Sequence, residues 1–495
     1  MTELLLGFDV GTSSSKGCLV RPGGEVVARA ERAHEVTRPH PGWVESDPEK
    51  VWWDDFVAIC RELLDGADDE VAAVGCSGMG PCLVAAGADG RPLRPAILYG
   101  IDSRASREII ELTERYGADA ILARGGSPLT TQAVGPKLLW LRRNEPEVWS
   151  KTIFFFTVSS YLVHRLTGEY VLDHHSASRC DPLYDMSANA WIDEWCEEVA
   201  PGLDWPSLLW STEIAGSVTG EAAAATGLKA GTPVTAGTMD TWAEAASVDV
   251  QEPGDMMLMY GTTMFLIEVA SEARSHPKLW STVSFSPGTH NLAGGMATSG
   301  AIAQWFRKIA SDPDWQVLED EASAAPPGAN GLVVLPYFSG ERAPLFDPKA
   351  RGVIFGLTLG HGRGHIYRAL LEGTGYGVRH MLDTMKEAGG GAGSRLVAVG
   401  GGTKGPLWPQ IVSDITGRAQ QLPTETIGAS AGDAFLAAVG SGVAQPDDRW
   451  NAIGGTVTPN ASARSTYDEL YSIYRDLYTD TRAQAHALAD LQTEE

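Results

Sequence analysis

The chain carries one short pattern twice. Leu4 to Val20 reads LLLGFDVGTSSSKGCLV, and Met256 to Val269 reads MMLMYGTTMFLIEV. Each is an apolar run, a Gly-Thr turn with a further hydroxyl residue, and a second apolar run. That is the pattern of a strand, a tight polar turn and a returning strand. The turn glycines, Gly11 and Gly261, stand 250 residues apart. A chain of 495 residues exceeds what one hydrophobic core usually holds, so the repeat reads as one architectural unit used once per half. Between and after the hairpins, strands alternate with helices. Val71 to Cys76 and Leu396 to Val399 read as strands. Asp47-Pro48 opens a helical pattern through Leu64, Gly364 to Lys386 carries a long one, and Tyr467 to Leu488 closes the chain with another. Such alternation predicts α/β layers. Glu252-Pro253-Gly254 signals a turn, and the expected domains are residues 1–248 and 249–495.

Charge narrows the partners. The chain has 63 acidic against 38 basic residues, a formal charge of −25. Such a chain repels nucleic acid and anionic membranes, and neither is expected as a partner. Phosphates remain admissible, because backbone N–H groups and Mg²⁺ hold them without a basic surface. The six cysteines form no CxxC pair, and no run of eighteen apolar residues predicts a membrane span. Met1 to Val10 lacks the basic lead of a signal peptide. A cytoplasmic protein is expected, with a homodimer kept as an open assembly. Trp52, Trp53 and the tyrosines of the last helix read as packing residues. His174-His175 reads as a loop or surface pair, and Asp65 to Glu70 as a solvated helix end.

Four segments offer chemistry. The first is Asp9 followed by Gly11, Thr12, Ser13 and Ser14. Glycine permits close backbone approach, the hydroxyls donate to phosphate, and Asp9 at a strand end can hold Mg²⁺ through water. An ordinary hairpin turn explains the same residues. The second is Gly261-Thr262-Thr263, whose likeness to the first makes the pair a candidate phosphate clamp. The third is Thr238-Met239-Asp240-Thr241. A carboxylate here can take the proton of a hydroxyl that attacks a phosphate, or Asp240 can simply cap the following helix, which is the commoner local reading. The fourth is Gly400-Gly401-Gly402, where a strand ends in glycines against which a flat ligand can lie, or a plain flexible loop.

Together these segments resemble the FGGY carbohydrate kinase family over nearly the whole chain. Gly352 to Leu357, then seven residues, then His365 to Glu372 fit its C-terminal signature. LPYFSGERAPLFDP precedes it, and Pro136 to Leu141 looks like the N-terminal signature. The resemblance implies two actin-like, ribonuclease H-like α/β domains flanking a catalytic cleft, with ATP and Mg²⁺ as cofactors and a small sugar or polyol as substrate. It implies Asp240 as catalytic base, Thr12, Ser13 and Ser14 as one phosphate loop and Thr262 as the other. It implies Gly300, Gln304, Gly401 and Gly405 at the nucleotide, and Asp9 with Asp240 at the metal. Gly405 stands where many members have Asn. LRPAILYGIDSRA and GPKLLWLRRNEPEVW look most like the xylulokinase branch, which implies a ketopentose such as D-xylulose phosphorylated at a terminal hydroxyl. Ribulose, glycerol, erythritol and gluconate are the alternative acceptors. That branch usually carries Gln-Met-His-Gly in the sugar pocket, whereas this chain has Met79 and then Gly80 in place of the His. Gln132 and Thr241 are substrate contacts by position. Two other classes share the fold: an ATP-driven chaperone or filament protein, and a sugar sensor without catalysis. The FGGY signatures oppose the first, and the retained Asp9, Asp240 and hydroxyl-rich turns oppose the second.

Overall fold

In the computed structural model, which describes residues 3–66, 69–391, 393 and 395–492, the two hairpins form the centres of two seven-stranded sheets. In the first, Glu3–Val10 pairs antiparallel with Ser14–Val20, which pairs antiparallel with Val26–Ala33. On its other side Glu3–Val10 runs parallel to Glu70–Gly78, beyond which lie Pro233–Thr235 and Ile214–Ser217. The second sheet repeats this order. Asp255–Tyr260 pairs antiparallel with Met264–Ala270 and then His290–Met296, and parallel with Arg395–Val399, then Gln420–Pro423. Ile453–Val457 closes that edge antiparallel, as Ile214–Ser217 does in the first sheet. Each half thus has the ribonuclease H-like strand order of the actin-like fold. The central strands are buried on both faces, as expected of strands covered by crossover helices.

The helical patterns appear where the sequence places them, with ends moved by a few residues. Arg363–Glu387 and Arg464–Gln492 are long helices, and Tyr467 and Tyr474 of the latter are buried. Asp47 accepts from the Glu49 and Lys50 N–H groups, and Pro48 begins a wide first turn that continues as Asp54–Leu64. Trp52 and Trp53 are buried in the first-half core. Of the acidic stretch Asp65 to Glu70, residues 67 and 68 lie outside the described residues. The reading of His174-His175 as a surface pair is corrected. Both are buried in a short helix, His174 Nδ1 2.8 Å from the Tyr184 hydroxyl and His175 Nδ1 2.8 Å from the Val283 carbonyl of the second half. A histidine pair fills such a seam because each ring offers an apolar face and one bonded nitrogen.

One helix ties the halves together. Ala429–Gly440 comes from the second half yet packs on the first sheet and against Asp240–Ser247. Its small residues make this possible. A Cβ on Gly432 would lie 1.8 Å from the Ala243 carbonyl, and one on Gly7 would lie 1.8 Å from the Ser430 carbonyl. Only glycine permits backbones to approach so closely. The approach carries Asp433 to the C-terminal ends of the central strands, where the candidate site lies.

Candidate active site

Four carboxyl groups gather at the strand ends. Asp9 is the last residue but one of the central strand, directly opposite Ser77 in the parallel register. The Ser77 hydroxyl lies 3.0 Å from Asp9 Oδ1 and 2.6 Å from Asp433 Oδ2. One hydroxyl hydrogen serves one acceptor at a time, so this arrangement is short of a proton. Asp433 Oδ1 is buried with no partner. Asp240 is set beside them by the strand Thr238–Met239, which pairs with Ser77 and Gly78. It is the first residue of its helix, with Met239 at the cap position, and its Oδ1 accepts the Thr241 N–H at 2.7 Å. Glu244 follows one turn later.

Burial sets the electrostatics of this group. It pushes Asp9 up to about 6, with the Ser77 bond and Lys16 opposing. It lifts Asp240 well above the usual carboxylate range, and the charges of Asp9 and Glu244 add to the lift. Glu244 rises to about 7 through burial and the charge of Asp9, and Asp433 rises through the same two causes. Mutual repulsion in a desolvated cluster is relieved by protons or by a cation. No three His, Cys, Asp or Glu residues converge to hold a metal by themselves among the described residues. Mg²⁺ commonly takes only one or two carboxylates and completes its shell with phosphate oxygens and water, and the orphaned oxygen and the excess negative charge fit such an ion.

The first turn closes through the Gly11 N–H on the Ser14 carbonyl at 2.9 Å. His34 braces it from below, 3.0 Å from the Gly11 carbonyl and 2.9 Å from Asp55. Ser13 is exposed, and Thr12 shares a 2.8 Å hydrogen bond with the Tyr99 hydroxyl. The second turn is built differently. The Ser299 and Ala301 N–H groups donate to the Thr262 carbonyl at 3.0 and 3.1 Å, and Gly300 donates to Gly261 at 3.0 Å. A Cβ on Gly300 would stand 2.6 Å from the Gly261 carbonyl, so this position fixes the turn against helix Gly300–Ile309. Gln304, one turn along that helix, is exposed.

The glycine loop lies beside the second turn. Gly400 has φ 97°, and its Cβ would meet the Tyr260 carbonyl at 2.6 Å, whereas a Cβ on Gly401 would meet nothing within 4 Å. Open space at Gly401 admits a flat ligand. At Gly405 a Cβ would stand 2.5 Å from the Glu319 carboxylate, which also accepts the Leu407 N–H at 3.1 Å. Glu319 therefore occupies the room that an Asn at this position would need.

The positions expected at the sugar lie on the first half. Met79 N–H donates to the Val10 carbonyl at 2.8 Å. A Cβ on Gly80 would lie 2.7 Å from Met239 Sδ. The room left by the missing His is thus filled by Met239, the neighbour of Asp240. Gln132 lies against Gly100, where a Cβ would be 2.7 Å from Nε2. Its turn is held by buried Lys137, whose Nζ donates to the Thr131 carbonyl at 2.7 Å. Of the expected residues, Asp9, Thr12, Ser13, Ser14, Met79, Gly80, Gln132, Asp240 and Thr241 lie on the first half, and Thr262, Gly300, Gln304, Gly401 and Gly405 on the second. The sequence reading missed Ser77, Tyr99, Glu244 and Asp433. The close-packing run Ala431-Gly432-Asp433-Ala434 is the one local signal of these.

Two sheets of one topology, with acids at the strand ends and a hydroxyl-rich turn in each half, define a phosphotransferase of the actin-like kind. The chain belongs to the FGGY family of carbohydrate kinases: residues 4–246 match the family's N-terminal domain and residues 256–441 its C-terminal domain. It is a sugar kinase, transferring phosphate from ATP to an alcohol group of a small sugar. It is similar to the xylulose kinase of Escherichia coli (strain K12), 32% identical over 451 residues that cover 88% of this chain and 90% of that one. It is also similar to the gluconokinase of Bacillus subtilis (strain 168), 26% identical with 99% of both chains covered. The crystal structure of xylulose kinase from Rhodospirillum rubrum superposes with a TM-score of 0.90 at 34% identity, covering 98% of this chain and 100% of that one. No helix among the described residues is long and apolar enough to cross a membrane.

Proposed function

We propose that the chain phosphorylates a terminal hydroxyl of a ketopentose, with D-xylulose the first candidate, using ATP and Mg²⁺ and Asp240 as general base. The observation that carries this is the placement of Asp240. It stands at a helix start beside Met79 and Gly80, within the field of Asp9, and burial holds its pKa high. A carboxylate whose pKa is raised takes a hydroxyl proton more readily than one at its ordinary pKa. Thr12, Ser13 and Ser14 hold phosphate oxygens from one side and Thr262 from the other. Gly300, Gln304 and Gly401 form the nucleotide surface, and Gly405 contributes backbone alone. Gln132, Thr241 and the Met79–Gly80 floor contact the sugar. Asp9 and Asp240 are the residues for Mg²⁺, which when bound neutralises phosphate charge and offsets the repulsion within the acid cluster. Closure of the two halves on the sugar keeps water from the phosphoryl group.

The similarity to proteins named xylulose kinase supports the ketopentose. The division into 1–248 and 249–495, the homodimer and a cytoplasmic location belong to the same proposal. The test is coupled ADP release with D-xylulose, L-xylulose, D-ribulose, glycerol, erythritol and gluconate. D-Xylulose is expected to give the highest kcat/KM. Glycerol or gluconate ahead by orders of magnitude refutes the ketopentose, and no acceptor above the basal rate refutes the assignment of the site.

A further inference from the structure

The site as described leaves one strong donor unused. Arg342 lies in the second half, and the Glu341 side chain fixes its backbone, Oε1 accepting the Ala297 and Arg342 N–H groups at 2.7 Å each. A guanidinium has five N–H donors. Here Nη2 donates to the Met296 carbonyl at 2.6 Å, while Nε is buried with no partner. Other arginines at comparable depth sit on carboxylates: Arg104 on Asp102 and Glu45, Arg179 on Asp181, Arg368 on Glu372. Among the described residues Arg342 forms no such pair. A guanidinium left this way beside an acid-rich cleft costs stability unless something else takes its donors.

Its surroundings say where those donors act. Arg342 and Arg179, one from each half, both lie over Trp280, 6.0 and 5.9 Å from the ring centroid. Trp280 belongs to the strand that meets the first half, where the Ser281 N–H donates to Ser127 Oγ at 3.0 Å. The charge of Arg342 also bears on Tyr99. Burial raises the phenol, its bond with Thr12 lowers it, the charge of Asp240 raises it, and that of Arg342 lowers it. The Tyr99 hydroxyl thus touches the first turn through Thr12, and the charges of Asp240 and Arg342 both bear on it. Gly100, the next residue, carries Gln132 against it. Arg342 thus brings a cation from the second half to the seam at Trp280, and its charge is felt at Tyr99 beside the first turn.

We propose that Arg342 binds the α-hydroxyketone end of the acceptor, taking the carbonyl and the adjacent hydroxyl oxygen while Asp240 holds the hydroxyl to be phosphorylated. This rests on the ketopentose reading above. The planar fork of a guanidinium suits two neighbouring oxygens, and a carbonyl accepts in plane without a competing hydrogen. A pentitol offers a rotating hydroxyl in the carbonyl's place and binds the fork less well. Because Arg342 stands on one half and Asp240 on the other, a ketose long enough to reach both draws the halves together. Gly80 then needs no polar hook, since selectivity comes from the opposite wall.

The experiment compares D-xylulose with xylitol and D-arabinitol in the unmodified protein, Arg342→Met and Arg342→Lys. The unmodified protein is expected to prefer the ketose. Both variants should lose about ten- to a hundredfold in kcat/KM for D-xylulose, mainly through KM, the range for a charged hydrogen bond. Both pentitols should change less than about threefold, and KM for ATP should stay the same. Equal losses with ketose and pentitols would show a structural role and overturn the proposal. So would a change in KM for ATP with KM for the sugar unmoved. If neither variant folds, ketose and pentitol affinities of the unmodified protein decide, and equal affinity overturns it. An unmodified protein that prefers gluconate, a preference lost with Arg342, overturns the ketone and the ketopentose reading together. Turnover of D-xylulose without preference over the pentitols overturns the role of Arg342 alone.

Discussion

Asp240→Asn separates chemistry from architecture at the proposed site. The amide keeps an oxygen to accept the Thr241 N–H, now 2.7 Å from Oδ1, so the first helical turn is retained. What disappears is the capacity to take a proton. Loss of a general base costs about 10² to 10⁴ in rate, which is about 2.7 to 5.4 kcal/mol of barrier. The effect on stability has the opposite sign. Asp240 is held high by burial and then by the charge of Asp9. A neutral residue there removes repulsion that the fold must otherwise carry, so Tm should equal or exceed that of the unmodified protein, increasingly as pH rises and the cluster ionises. The assay is coupled ADP release with D-xylulose, run beside calorimetric Tm and ATP binding by titration calorimetry. Low turnover, undiminished Tm and retained ATP binding are expected. Near-normal turnover would refute the base, and a marked fall in Tm would refute the claim that the acid cluster is electrostatically strained.

Three further outcomes follow from particular contacts. Gly80→His alone should impair turnover, because its Cβ would press on Met239 at 2.7 Å; Gly80→His with Met239→Ala should recover it, and recovery by neither the pair nor any smaller residue at 239 would count against the packing argument. Gly405→Asn should raise KM for ATP, since the side chain meets Glu319 at 2.5 Å, and Glu319→Ala should reverse that rise; an unaltered KM in the single variant would mean the carboxylate yields freely. Asp181 is buried, and burial lifts it from 3.8 to about 7, with Arg179 opposing. A carboxyl raised in the folded state contributes stability that is complete below about pH 4 and lost as pH rises through about 7. Asp181→Asn should therefore flatten the fall of Tm between those values, and an unchanged slope would show that other groups set it.

Local pattern was enough for the frame. Each hairpin is specified by neighbours along the chain, apolar alternation on either side of a glycine turn, and its recurrence gave two halves. The candidate phosphate turns were legible for the same reason, since glycine and hydroxyl residues are adjacent in sequence. Asp240 was ambiguous because a carboxylate at a helix start satisfies capping and catalysis alike. In the fold Met239 takes the cap position and Asp240 feels the charge of Asp9, which supports the proposed base. The partners that tune the site were out of reach. Ser77 lies 68 residues from Asp9 and 356 from Asp433, and Tyr99 lies 87 from Thr12. Those contacts depend on the register of a parallel strand pair and on how closely one helix crosses another, set by glycines whose meaning is invisible until their opposing carbonyls are known. The same holds for absences. Gly80 and Gly405 look like lost side chains in the sequence, and only packing shows Met239 and Glu319 standing in the space.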